Sequence, residues 1–333
     1  MSKRILLSGI GGFVGGHVMS HLLKNTDYHI VGIASWQHKG MPTRVSEDEN
    51  YLKDTSRVTI ITHDLSAPIT EDLKERIGHI DIILNLASDS HVDRSISNPV
   101  PFVQNNVNLA LNMLEFAREV KPELFIQFST DEVFGQAKKD EYHKEWDSIK
   151  PSNPYSASKV AQEALAISYW RTYGVPIIIT NTMNIFGQYQ DKEKFVPLVI
   201  DKVMKGEKVS IHGYPDKKQA GTRFYLHARN IADALLFMIN NVKPKLYPEI
   251  DRPERFNVVG KVELDNLTFA QMIANELGKE LKYEIVSFHA SRPGHDLRYA
   301  LDGAKLESYG YSYPVSFEES LTDTINWYKA KYE

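Results

Sequence analysis

The sequence predicts an α/β protein with a doubly wound parallel sheet and a smaller mixed region after it. Three observations carry this expectation. Short apolar runs alternate with helix-period stretches through the first half of the 333-residue chain, the rhythm of parallel strands covered by helices on both faces. A glycine-rich turn follows the first apolar run and opens the first helical stretch. After about residue 185 the rhythm changes, and loops lengthen and gain proline, glycine and charge, as at residues 212–221 and 242–253.

Ile5 to Leu7 reads as the first strand, Val14 to Lys24 as the helix behind it, and Ile30 to Ile33 as the second strand. Val58 to Thr62, Ile80 to Leu86, Leu124 to Phe128 and Ile177 to Thr180 are further apolar, β-branched runs of buried-strand length. Phe102 to Val120 and Tyr155 to Tyr173 carry the helical period, and Gly174 with Pro176 stops the second.

Composition narrows the function. The formal charge of −4 offers no electrostatic case for nucleic acid as a partner. The chain contains no cysteine, which excludes disulfides, thiolate catalysis and cysteine metal sites and fits a reducing cytoplasm. The N-terminus enters a strand at once, without a signal-peptide layout, and no apolar run reaches membrane-spanning length. No metal site is expected.

Gly9, Gly12 and Gly15 form a G-x-x-G-x-x-G turn between strand and helix. Such a turn lets the backbone approach a pyrophosphate, which then sits at the helix N-terminus, as in Rossmann-type dinucleotide domains. Asp64 ends the third strand, where a carboxylate can accept from an adenine amino group or simply cap a turn. The acid that usually closes the second strand and binds the ribose 2′-hydroxyl of NAD is absent. Ser35, His38, Lys39 and Arg44 stand there or just beyond. They suit either a 2′-phosphate or a solvated loop, the latter being the reading for His38 and Lys39. The expectation is that NADP binds no worse than NAD.

Two clusters carry chemistry. Thr130, Asp131 and Glu132 put two adjacent carboxyls beside a hydroxyl at a strand end. Tyr155 and Lys159 lie four residues apart, on one face of a helix. A lysine near a tyrosine lowers the phenol's pKa, so Tyr155 is expected to act as a base near neutral pH. Two neighbouring carboxyls raise one another's proton affinity, which keeps one protonated.

With these residues, and with the segments Asn85 to Ile96, Ser129 to Gly135, Asn153 to Lys159, Asn184 to Gln190 and Arg292 to Asp302, the chain resembles the extended short-chain dehydrogenase/reductases. Within them it is similar to the nucleoside-diphosphate-hexose 4,6-dehydratases that act on dTDP-glucose-like substrates. The resemblance implies a bound NAD or NADP held by Gly9, Gly12, Phe13, Val14, Gly15, Ser35, Asp64, Leu65, Leu86, Ala87, Ser88, Tyr155 and Lys159. It implies that Tyr155 deprotonates the hexose 4-hydroxyl while C4 gives up hydride, that Glu132 removes the C5 proton, and that Asp131 protonates the departing 6-hydroxyl. Thr130 would hydrogen-bond the 4-oxygen, and Lys159 would hold the nicotinamide ribose. Asp89, Ser90, Thr130, Asn184, Lys194, Arg223, Asn257, Arg292 and His295 fall on substrate-contacting positions.

On the same basis residues 1–184 form the NAD(P)-binding domain, its sheet completed by later segments at about 222–240, and residues 185–333 mainly bind the sugar nucleotide. A homodimer is implied, pairing through the two long helices. Phe224, Asn230 and Gln188 depart from the family's usual residues and surround the nucleotide site. Rival readings on the same scaffold are a 4-epimerase or a decarboxylase, and, from another class, a non-catalytic dinucleotide sensor. An epimerase needs no acid pair after Thr130, and a sensor needs neither Tyr155 nor Lys159.

Overall fold

The computed structural model describes residues 2–37, 39–287 and 296–331. Its first half builds one sheet from β1 (Arg4–Ser8), β2 (His29–Ala34), β3 (Val58–Thr62), β4 (Ile82–Asn85), β5 (Leu124–Thr130) and β6 (Ile177–Thr182). The intervening helices are α1 (Phe13–Asn25), α2 (Thr43–Ser46), α3 (Glu49–Lys53), α4 (Glu71–Ile77), α5 (Val92–Ser97), α6 (Pro99–Val120) and α7 (Pro154–Tyr173). The second half contributes β7 (Asn184–Phe186), α8 (Phe195–Lys205), β8 (Val209–Gly213), β9 (Thr222–His227), α9 (Ala228–Asn241), β10 (Glu254–Val258), β11 (Glu263–Asp265), α10 (Asn266–Glu276) and β12 (Tyr283–Ser287).

The central sheet has seven parallel strands in the order β10-β6-β5-β4-β1-β2-β3. Strand order reverses between β1 and β4, and that crevice is where an open α/β sheet binds its ligand. Segment 222–240 does not complete this sheet. It forms β9, which pairs with β7 and β11 in a separate three-stranded sheet, and α9, which packs against α1. The seventh strand is β10, placed by its register against β6.

The strands are apolar on both faces because both faces are covered. Ile5 and Leu7 pack with α1 and α9 residues such as Leu22 and Leu235, while Leu6 between them packs with α6 and α7 residues such as Met113 and Ala166. A third core, including Phe186, Val199 and Phe269, holds the C-terminal lobe. Helix α7 starts at a capping box: the Asn153 side chain accepts from Ser156 N–H, the Ser156 hydroxyl answers to the Asn153 backbone, and Pro154 opens the first turn. It stops at Gly174 in the left-handed conformation. These ends fix the rotation of the helix, and hence where Tyr155 and Lys159 point.

Candidate active site

A cleft of about 400 Å3 runs along the C-terminal ends of the parallel strands, from the glycine turn to the end of β5. At one end Gly9 takes φ +75, and a Cβ on Gly15 would lie 2.0 Å from the Gly9 carbonyl oxygen. Only glycine permits that turn to close against the start of α1. Gly12, the N-cap, has no side chain with which to cap, and the first turn of α1 holds no acid. Its free backbone N–H groups and positive dipole end fit a pyrophosphate. Across the switch point, Ser8 Oγ accepts from the N–H groups of Leu86 and Ala87 at 2.9 and 3.0 Å, which sets the loop after β4 against the turn. Phe13, Val14, Ser35, Asp64, Leu65, Leu86, Ala87 and Ser88 all line this half. Asp64 also closes a turn, accepting from Ser66 N–H at 2.9 Å. These residues fit a dinucleotide.

At the other end, β5 delivers Thr130 and a 3-10 turn, Asp131 to Phe134, carries the acids. Thr130 Oγ1 donates to Asp131 Oδ1 at 2.9 Å, and it neighbours the Tyr155 phenol, where its lowering influence is outweighed by burial. Glu132 Oε2 accepts from Asn153 Nδ2 at 3.2 Å and from the Tyr299 hydroxyl at 3.4 Å. Asp131 Oδ2 is buried and has no hydrogen-bond partner among the described residues. Burial, then the neighbouring Glu132, pushes the Asp131 carboxyl up to about 7. Burial raises Glu132 too, against the pull of Asn153 and Arg223.

Tyr155 and Lys159 share the cleft wall with these acids, but their electrostatics differ from the sequence expectation. Burial first, and then Glu132, holds the Tyr155 phenol well above its ordinary value. Lys159 is itself pushed down to about 7 by burial, with Glu163 opposing. Its ammonium donates to the Phe128 carbonyl and to Gln162 Oε1, both at 2.6 Å. Desolvation and then the facing carboxyl groups of Glu132, Asp131 and Asp89 set the phenol, and Lys159 is not among the groups that lower it.

The substrate-contacting expectations divide. Asp89, Ser90, Asn184 and Lys194 line the cleft. Arg223 is buried, and its guanidinium is spent on the carbonyls of Thr222 and Leu297, both at 2.7 Å, and of Asp296 at 2.5 Å. It acts on the acid pair through its field rather than as a free fork. Asn257 is also turned away: it donates to the carbonyls of His143 and Asp302 at 3.0 Å and lines a separate cavity. Both are corrections with one cause, a buried side chain satisfying backbone carbonyls that the fold leaves open. Arg292, His295 and His38 lie outside the described residues.

Arg44 corrects the nucleotide end in the same way. Its guanidinium donates to the carbonyls of Gly11, Lys39 and Tyr189, and it is buried. Lys39 pairs with Asp191 at 2.9 Å and Glu193 at 3.4 Å.

Sequence reasoning did not assign the residues that hold the catalytic ones. Asn153 both caps α7 and holds Glu132; its place before Pro154 and Tyr155 was the signal. Glu163, one turn beyond Lys159, accepts from Asn181 Nδ2 at 2.8 Å, which also donates to the Thr130 carbonyl at 3.0 Å. The other Glu163 oxygen pairs with fully buried Arg255 at 2.7 Å. This core pair ties helix α7 to the end of β5. Among the described residues, no group of three or more histidines or acids is placed to hold a metal, and no helix is long and apolar enough to cross a membrane.

Comparison with known proteins agrees with this geometry. Residues 6–324 match the family model described as GDP-mannose 4,6 dehydratase. The chain is 32% identical over 353 aligned residues to dTDP-glucose 4,6-dehydratase of Salmonella typhimurium strain LT2, covering 98% of this chain and 93% of that one. Among solved structures it is similar to dTDP-glucose 4,6-dehydratase of Streptomyces venezuelae with NAD bound, with TM-score 0.86, 28% identity and coverage of 98% and 97%. It is also similar to UDP-glucuronic acid 4-epimerase of Bacillus cereus in complex with UDP-glucuronic acid and NAD, with TM-score 0.86, 25% identity and coverage of 99% and 100%.

Proposed function

The chain belongs to the family described as GDP-mannose 4,6 dehydratase, and from that premise we propose that it is a nucleoside-diphosphate-hexose 4,6-dehydratase. It converts an NDP-hexose to the NDP-4-keto-6-deoxyhexose with loss of one water, using an NAD(P) held by the glycine turn and the cleft wall beyond it. The observation that carries this reading over an epimerase is the acid pair. Asp131 keeps a buried, unpartnered Oδ2 at a pKa of about 7, directly beside Glu132. A hydride shuttle alone has no use for such a pair, whereas elimination needs one acid and one base side by side.

A bound dinucleotide would supply a hydride acceptor that returns its hydride within the turnover, and its positive nicotinamide would favour the Tyr155 phenolate against the burial that holds the phenol up. Tyr155, once ionised, takes the proton of the 4-hydroxyl as C4 is oxidised to the ketone, with Thr130 holding the 4-oxygen. The ketone acidifies C5–H, and Glu132 removes that proton while Asn153 steadies the carboxylate. The C6–O bond breaks, and Asp131 protonates the leaving hydroxyl, which departs as water. After hydride has reached C6, Glu132 returns its proton to C5. Tyr155 is then one proton rich and Asp131 one proton poor. Thr130 Oγ1, which donates to Asp131 Oδ1 and neighbours the Tyr155 phenol, is placed between the two groups as the site resets.

Asp89, Ser90, Asn184 and Lys194 are the cleft-lining groups for the sugar and diphosphate. The same reading makes the protein a cytoplasmic homodimer, joined through α6 and α7, whose outward faces present half-buried Val103, Val107, Leu111, Ala161 and Leu165. Incubation with dTDP-, UDP-, CDP- and GDP-hexoses followed by mass spectrometry tests the reaction. Loss of one water from one of them is the expected result, and unchanged mass for all four would overturn the reading.

A further inference from the structure

The reading above requires a bound dinucleotide, and the cleft wall beyond β2 is where NAD must be told from NADP. At the strand end stand Ser35, Trp36 and Gln37. Two carboxylates reach the same cleft from the opposite lip, in the segment between β7 and α8: Asp191 and Glu193 both line it, together with Lys39. Lys39 Nζ lies 2.9 Å from Asp191 Oδ2 and 3.4 Å from Glu193 Oε1. We propose that Asp191 and Glu193 are the specificity-determining residues for the dinucleotide, and that they make this site select NAD over NADP from the side of the cleft opposite the usual strand-end acid.

The cations nearest the strand end already have partners. A 2′-phosphate brings roughly two negative charges and needs a cation to receive it. The Arg44 guanidinium is buried and committed through Nε and both terminal nitrogens to the carbonyls of Gly11, Lys39 and Tyr189. Lys39 has to leave Asp191 before it can turn to a phosphate. The Asp191 side chain is only 14% exposed, so that move strands a largely desolvated carboxylate beside a like charge. A 2′-hydroxyl asks for no such exchange and can donate to a carboxylate. Trp36 narrows the same wall. Its φ is +58, its indole N–H donates to Thr62 Oγ1 at 2.8 Å, and its ring lies against Gly11, where an added Cβ would meet it at 2.6 Å. Refusal of the phosphate thus comes from negative charge placed by one segment and from cations withheld by another.

Isothermal titration of the cofactor-stripped full-length protein with NAD and with NADP tests this without turnover. NAD is expected to bind at least about tenfold more tightly, roughly 1.4 kcal/mol. In the double variant Asp191→Asn, Glu193→Gln, which frees Lys39, NADP should gain about tenfold while NAD stays within about threefold. Lys39→Met, which keeps the acids and removes their counter-ion, should widen the preference for NAD. Equal or tighter NADP binding by the wild type, an unchanged ratio in the double variant, or a narrowed ratio in Lys39→Met would each overturn the inference while leaving the dehydratase reading standing. Binding of neither dinucleotide would overturn both.

Discussion

The two ends of the cleft handle charge in opposite ways. At the nucleotide end the cations have partners: Lys39 with Asp191 and Glu193, Arg94 with Glu193 at 3.1 Å, and Arg44 with three backbone carbonyls. At the catalytic end two carboxyls, a phenol and an ammonium are buried side by side, and Asp131 Oδ2 has no partner among the described residues. All four groups are shifted toward their neutral forms, by burial in the first place, with Lys159 pushed down to about 7. Pairing makes a surface that holds and discriminates. Withheld pairing leaves Asp131 and Lys159, both at about 7, able to gain or lose a proton close to neutral pH. Burying these groups costs stability, while beneath them the Glu163–Arg255 pair ties helix α7 to the end of β5.

The largest effect should come from Tyr155→Phe. Removing the phenol should lower kcat by about 10^4-fold, the upper range for a general base, while leaving dinucleotide affinity nearly unchanged; calorimetry and steady-state kinetics together check this. Glu132→Gln should lower overall turnover by about 10^3-fold yet spare oxidation at C4. Reduced-cofactor absorbance should then build up when the accepted NDP-hexose is added. Dehydration at the wild-type rate would remove Glu132 from the role of C5 base.

Arg255→Met sharpens the contrast from below the site. It strands the Glu163 carboxylate, whose side chain is 1% exposed, and should cost about 3–4 kcal/mol in urea unfolding. Asp131→Asn should act in the opposite direction. The folded carboxyl at about 7 lies above the ordinary value of 3.8, so the folded state binds the proton more tightly than the unfolded state between those values. Wild-type stability therefore falls as pH rises through that window, and the full cost is present above it. The variant, without that charge, should be more stable by about 1 kcal/mol at pH of about 8, a Tm shift of ~1–2 °C, with the gap closing toward pH of about 4. Turnover needs Asp131 protonated, so the elimination rate should fall as pH rises through about 7. The smallest effect belongs to the paired end. Lys39→Met breaks a bridge whose lysine is 40% exposed and should cost less than about 1 kcal/mol in the same unfolding measurement.

Much of this was legible in the sequence where local rules decide. Val58 to Thr62 was read as a strand with the bounds observed, because a β-branched apolar run has few alternatives. Helix α7 was legible from its period and from Gly174, and the gathering of Thr130, Asp131, Glu132, Tyr155 and Lys159 followed from strand end and helix spacing. What was not legible depends on partners far along the chain. Residues 222–227 and 254–258 are both short strands of mixed polarity, and only tertiary register assigns the second to the central sheet. Arg223, Arg44 and Asn257 look like ligand-binding groups in one dimension. Each is taken up by backbone carbonyls, those of Leu297 for Arg223, Tyr189 for Arg44 and His143 for Asn257 lying more than 70 positions away. The phenol's raised pKa was missed for a related reason: helical spacing shows the nearby lysine but not the burial and facing carboxyl groups that set the phenol.

The central claim is that one site oxidises C4, expels water across C5–C6 and returns the same hydride to C6. The most direct test is turnover of the accepted NDP-hexose carrying deuterium at C4, with the product read by mass spectrometry and proton NMR. The account predicts a product lighter by one water with the deuterium in the C6 methyl group. Deuterium found back at C4, with no water lost, would identify an epimerase and contradict it.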